Sequence, residues 1–130
     1  MATNFNGSVM RLLLTISLVL WLATAQAESI RVLVQSSPLA GSQYYAVGEQ
    51  WRQMAVGDRL DLIREPDNHR DRHAIRVEWH GYKLGYVPRA ENRALAAAMD
   101  QGDKLMARIA KLTEHANPWR RVEFEVFVEL

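Results

Sequence analysis

The last ten residues, RVEFEVFVEL, set Val122, Phe124, Val126 and Val128 against Glu123, Glu125 and Glu129. Successive side chains of an extended chain point to opposite faces, so this alternation predicts a half-buried strand. RLDLIRE, Arg59 to Glu65, repeats the pattern with Leu60 and Leu62 against Arg59 and Asp61. AIRVEW, Ala74 to Trp79, puts Ile75, Val77 and Trp79 on one face; after a tight turn at His80-Gly81, YKLGYV (Tyr82 to Val87) pairs back as a hairpin. IRVLVQ, Ile30 to Gln35, is β-branched and gives way to the loop SSPLAGS, and Lys104 to Leu112 reads as a further strand. Helical spacing is confined to two places. VGEQWRQM, Val47 to Met54, predicts a short helix stopped at Val56-Gly57-Asp58. RAENRALAAAMDQG, after Pro88, predicts an amphipathic one carried by Leu95, Met99 and the alanines, with Gly102 as its stop. Five or six short strands with one or two short helices predict a mostly β fold, a small antiparallel barrel with a helix over one opening. No internal repeat, linker or low-complexity segment interrupts it.

The first 27 residues follow another rule. Arg11 is their only charge, followed by LLLTISLVLWLA and then Ala25-Gln26-Ala27. A basic residue, a short apolar run and an A-x-A site are the layout of a secretory signal peptide. The run falls short of the roughly 20 apolar residues a membrane span needs. An uncleaved anchor is the other reading of the same run. The expectation is cleavage after Ala27, a periplasmic or secreted product with no stable membrane insertion, and one domain over residues 28–130. A domain of about that size buries roughly two-thirds of its unfolded surface, enough for a core without staples. The chain has no cysteine, so export brings it no disulfide and no cysteine-linked lipid. Loss of Arg11 also leaves basic and acidic residues equal in number, so any anion site must be local.

The candidate chemistry lies in PDNHRDRHAIRVEWHGYKLGYVPR, Pro66 to Arg89, where His69, Asp71 and His73 alternate with Arg70 and Arg72. If extended, that stretch would bring three metal-ligand types to one face. Two interleaved arginines oppose a bound cation, and a metal site also needs a second shell. Ser36, Ser37 and Ser42 lie in loops outside any G-x-S-x-G elbow. No glycine loop for phosphates and no helicase motif is present. No catalytic residue, metal or cofactor is therefore expected; a metal-dependent hydrolase using His69, Asp71 and His73 is the least favoured alternative.

Linked motifs are more specific. G-S-Q-Y-Y at residues 41–45 is followed by REPDN-x-x-D-x-x-A-I-x-V and then K-L-G-Y-V-P-R-x-E-N-x-A-L. Their order and spacing resemble the HIRAN domain, which accompanies some SNF2-type helicases and also occurs alone in bacteria, and the resemblance spans residues 30–130. It implies an OB-like β-barrel that binds single-stranded DNA, in some members by the free 3′-hydroxyl end. It implies that Tyr44 stacks on a base, that Asp71 reads the terminal hydroxyl and that Arg89 meets a backbone phosphate. The helicase-linked pattern has a basic residue where this chain has Gln43, an aromatic at Arg70 and an asparagine at His73. Arginine stacks on bases as well as pairing phosphate, so Arg70 can substitute in kind.

The predicted ligand-binding set is Tyr44, Tyr45, Arg70, Asp71, Arg72 and Arg89, on a non-catalytic nucleic-acid-binding module. In a strand, one tyrosine of the pair would anchor in the core while the other faced the ligand. Asp67, Asn68 and Asp71 have a second reading, as loop-fixing groups that bond backbone amides. Lys83, Arg93, Arg120 and Arg121 read as solvated charges and Trp79 as core, with Trp119 a candidate second stacking surface. The expected partner is single-stranded DNA or another nucleic acid. Export favours an alternative, in which the same barrel binds a peptide, glycan or other anion, or an envelope protein.

Overall fold

In the computed structural model, residues 30–130 are described, and the expected signal segment lies outside them. The elements run in chain order as β1 (Arg31–Pro38), a 3-10 turn (Ser42–Tyr44), α1 (Val47–Gln50), β2 (Arg59–Arg64), β3 (Ile75–Trp79), β4 (Tyr82–Tyr86), α2 (Asn92–Asp100), β5 (Leu105–Leu112), a second 3-10 turn (Pro118–Arg120) and β6 (Val122–Glu129). All six strands join one antiparallel sheet in the order β1-β6-β5-β2-β3-β4. Among the described residues no helix is long and apolar enough to cross a membrane.

Period-two patterning explains the core. Val122, Phe124 and Val126 of β6 are buried, as are Ile75, Val77 and Trp79 of β3, while their alternates face outward. Leu60, Leu84 and Ile109 complete the sheet's apolar face, and α2 adds Leu95 and Ala96. Burying a side chain such as Phe124 is worth about 1.5–3 kcal/mol relative to leaving it in water. The helix ends as expected. Gly102 takes φ 92° and donates to the Met99 carbonyl at 3.0 Å, and the next amide, of Asp103, reaches back to Ala98 at 3.0 Å. That pair of bonds is a Schellman cap, and a left-handed residue such as glycine is its requirement. The turn between β3 and β4 has positive φ at both His80 (47°) and Gly81 (81°), the hairpin turn that matches strand twist.

The mostly β, OB-like antiparallel fold is the one expected, and one expectation is corrected. The first helix ends at Gln50 rather than Met54: the amides of both Gln53 and Met54 converge on the Gln50 carbonyl and turn the chain. In detail, the sheet stays open rather than closing by a continuous ladder. β2 changes partner midway, pairing β5 through Arg59 and Leu60 and β3 from Asp61 onward, which leaves β1 and β4 at the two ends of the strand order. One isolated bridge spans these ends: Ala40, just after β1, exchanges two backbone hydrogen bonds of 2.9 Å with Tyr86 at the end of β4.

Gly85 makes that approach possible. A methyl group there would collide with the Ala40 carbonyl oxygen and stand 3.1 Å from Leu39 Cγ, a buried core atom. Backbone and core on that side leave little room to yield. We expect Gly85→Ala to destabilise the domain by about 2 kcal/mol or more, read from the urea midpoint. An unchanged midpoint would mean that the bridge can part at no cost.

Candidate functional site

The segment between β2 and β3 folds as three successive tight turns, closed by the amides of Asn68, Asp71 and Ala74 on the carbonyls of Glu65, Asn68 and Asp71, rather than an extended chain. Asn68 Oδ1 accepts from the amides of Arg70 (2.9 Å) and Asp71 (3.3 Å), and Asp71 Oδ1 accepts from the His73 amide at 2.9 Å. Short polar side chains that bond nearby amides offer the backbone an alternative to sheet pairing. The loop is closed at its base by Glu65 N–H on the Ala74 carbonyl at 3.0 Å. Arg64 fastens it from outside, donating to the carbonyls of Arg72 and Ala74 and, through two nitrogens, to Asp100 on α2.

Asp71 is the electrostatic centre of the loop. Its side chain is 18% exposed, and its second oxygen accepts from Asn92 Nδ2 at 2.7 Å. Burial alone would raise its pKa. The His73 amide, the Asn92 amide and the positive charges of Arg89 and His73 outweigh burial and hold the carboxyl below its ordinary range. Glu65 is held low in the same way, with burial opposed by donors from Asn68, Tyr86 and Arg76.

The tyrosine pair departs from the expected strand. Gly41 adopts φ 75° and starts the 3-10 turn, with the Tyr44 amide on the Gly41 carbonyl at 3.0 Å. Neither tyrosine anchors in the core. Tyr44 is 76% exposed. Tyr45 meets Tyr86 edge-on at 6.0 Å between ring centres, and Lys83 Nζ lies 4.2 Å and 4.6 Å from the two ring centres. A cation over aromatic faces at such distances fixes the rings. Lys83 therefore has structural partners rather than standing as a solvated charge.

These parts enclose a cleft of about 810 Å³ lined by Tyr44, Tyr45, Arg70, Asp71 and Arg89, with Asn92 at its base. That volume lies within the range of small-ligand sites. Arg72 lines an adjoining depression instead, which shares Arg70, Asp71 and Arg89 with the cleft. Trp119 is half exposed on the second 3-10 turn and lines a separate hollow with Lys111 and Arg120. The two turns are tied by Ser42 Oγ donating to the Pro118 carbonyl at 3.2 Å. Among the described residues no three His, Cys, Asp or Glu side chains come together as metal ligands. The extended geometry that such a site needed at His69, Asp71 and His73 is absent.

The HIRAN domain family model matches residues 32–130. The chain belongs to the HIRAN domain family. HIRAN domains are nucleic-acid-binding modules. A crystal structure of a Lactobacillus plantarum protein is 26% identical, covers 78% of this chain and 98% of its own, and superposes with a TM-score of 0.68. The HIRAN domain of human HLTF has the same fold at 23% identity and a TM-score of 0.56, over 76% of this chain and 78% of its own. No curated protein matches this HIRAN chain.

Three residues that line or support this HIRAN cleft carried no expectation from sequence: Asn92 and Tyr86 in its lining and Glu65 behind it, bonded to Asn68 and Tyr86. All three stand inside the quoted motifs, and those linked motifs were the signal available. Asn92 is 2% exposed. Both Glu65 and Asp71 have folded pKa values below their unfolded ones, so each favours the folded state at neutral pH. That contribution is lost as pH falls from about 4, the usual carboxylate value, down through the lowered folded values. Asn92→Ala removes a donor from half-buried Asp71. We expect a loss of about 1–3 kcal/mol at neutral pH and acid unfolding that starts at a higher pH, both followed by circular dichroism. An unmoved acid midpoint would show that Asn92 does not help to keep Asp71 charged.

Proposed function

We propose that this HIRAN domain holds single-stranded DNA by one end, without catalysing a reaction on it. The observation that carries this reading is the single cleft shared by an exposed aromatic ring, two guanidinium groups and a carboxylate. The Tyr44 ring takes the face of a base, an interaction worth about 1–3 kcal/mol and indifferent to base identity. Arg70 and Arg89 meet backbone phosphates from the cleft side and Arg72 from the rim. Asp71 stands among them as a fixed negative charge. A phosphate passing directly over it is repelled, so the strand terminates there. Nothing in this arrangement requires a base edge to be read, which predicts end preference with little sequence preference.

The test is a fluorescence-anisotropy titration of the purified protein with short oligodeoxynucleotides over a series of salt concentrations. Tyr44→Ala is expected to weaken binding by about tenfold. Arg89→Ala is expected to weaken it and to flatten the salt dependence by about 0.7 in the log–log slope, one single-strand phosphate contact. Failure of the folded protein to bind any oligonucleotide at low salt would sink the proposal. The peptide, glycan or envelope-protein alternative would then gain.

We also propose that the domain works outside the cytoplasm, on the strength of the signal-like residues 1–27. Expression of the full chain in a Gram-negative host is expected to give a periplasmic product with Glu28 as its N-terminus by Edman sequencing. A full-length cytosolic product overturns export while leaving the binding proposal intact.

A further inference from the structure

Period-two alternation fails at one corner of the sheet. In β1, Val32, Leu33 and Val34 follow one another, and they are 44%, 51% and 48% exposed. The register sets Val32 in a row with Val128 and Leu105, and Leu33 in the next row with Phe127 and Met106. Successive rows point to opposite faces, so this corner is apolar on both. A continuous apolar run is the pattern of a strand covered on both faces. Yet β1 ends the strand order, and among the described residues it pairs with β6 alone. The opposite end strand is covered by the chain itself: Ala40 bonds Tyr86, and the Ala46 amide bonds the Lys83 carbonyl. Open edges are ordinarily guarded by lysine, inward-pointing charges or proline. From Arg31 to Gln35 the one charge is Arg31, and proline comes only at Pro38. The register shift between Leu33 and Gln35 also takes Val34 out of the β6 ladder, which leaves its backbone groups in want of partners.

We infer that a second copy of the chain docks on this edge, β1 against β1 in antiparallel pairing about a twofold axis at Leu33. The axis sets Leu33 opposite Leu33, Val32 opposite Val34 and Arg31 opposite Gln35. Every apolar residue of the segment then meets an apolar one, the kind of cross-strand pair that stabilises a sheet. The two Arg31 side chains stand four residues apart along the strands, about 13 Å. That exceeds the Debye length of about 8 Å at physiological salt, and each has Glu129 of its own β6 beside it in register. Self-pairing thus satisfies the open backbone groups without bringing like charges together. Both apolar rows run on from one copy into the other, and one patch serves both sides, as a twofold interface requires. No residue from 31 to 35 lines the cleft, so the dimer keeps two clefts. This contact is independent of what the clefts hold.

Protein purified after expression of the full chain is followed by sedimentation velocity from about 1 to 300 µM. A shift from monomer to dimer is expected, with a midpoint on the order of 10 µM for so small an interface. Leu33→Lys and Leu33→Glu each set like charges across the axis and are expected to raise that midpoint at least about tenfold. An equimolar mixture of the two variants, both shown to be folded by circular dichroism, is expected to restore the dimer, lysine facing glutamate. On the unmodified protein, hydrogen exchange read by mass spectrometry is expected to slow over residues 31–35 as concentration rises. A monomer throughout the concentration range overturns the inference. Dimers that persist unchanged in both variants, or that the mixture does not restore, overturn it too. Protection that rises with concentration elsewhere and not over residues 31–35 places the contact on another face, and overturns it without need of a variant.

Discussion

Two backbone hydrogen bonds between Ala40 and Tyr86 hold the segment leaving β1 against the end of β4, and the cleft lies across that seam. On one side of it stand Gly41, Tyr44 and Tyr45, and on the other Val87, Arg89 and Asn92. The sheet's twist carries its end strands toward each other. Full closure would pair them along their length and leave no opening. A single bridge ties the two sides while the chain beyond Ala40 curls away into the 3-10 turn that presents Tyr44. The Ala46 amide on the Lys83 carbonyl, at 3.0 Å, fastens the far end of that turn to β4 as well. The aromatic platform is therefore anchored at both ends.

The second constraint is the cost of placing carboxylates in a half-buried site. Removing a charge from water is unfavourable unless donors replace the lost hydration. Glu65 and Asp71 solve this with a shared residue: Asn68 donates its amide to Glu65 and accepts from the loop amides that shape the approach to Asp71. Tyr86, whose backbone makes the seam, donates its hydroxyl to Glu65 at 2.9 Å. Seam, loop and carboxylates thus form one connected network, in which each bond polarises its neighbours. Fastened further to α2 through Arg64 and Asp100, the loop presents its arginines without having to order itself on binding. Preorganisation of that kind lowers the cost of association.

How much of this was legible in the sequence follows from the range of the interactions. β2, β3 and β6 are legible because period-two alternation is local and each strand has one buried face. The Schellman end of α2 is legible because Gly102 alone supplies the required φ. Incomplete closure is not legible, since it depends on Gly85 meeting Ala40 across the fold. The tyrosine pair misleads for a related reason. Aromatic residues favour strands, but the left-handed Gly41 and the tertiary bond from Ser42 to Pro118 impose a 3-10 turn. Five of the expected ligand-binding residues come together in the cleft and Arg72 stands beside it, yet their grouping is known from linked motifs rather than from periodicity. Asn92 illustrates the limit. Its partner Asp71 is 21 residues away in the chain, and no local pattern marks an asparagine that will support a carboxylate.

Charge distribution decides what kind of binding such a site can perform. A protein that coats nucleic acid relies on a broad positive field, because affinity rises with the number of phosphates neutralised. Here the whole chain carries a formal charge of only +1, and several arginines outside the site are spent on Glu65, Glu78, Asp100 and Glu125. Little long-range attraction remains beyond about a Debye length, some 8 Å at physiological salt. Four arginines outside any ion pair, Arg70, Arg72, Arg89 and Arg93, instead stand around one carboxylate, next to one exposed ring. Attraction is therefore concentrated over a few ångströms around Asp71 rather than spread over a broad face, which is the charge arrangement that the proposed end-holding reading calls for.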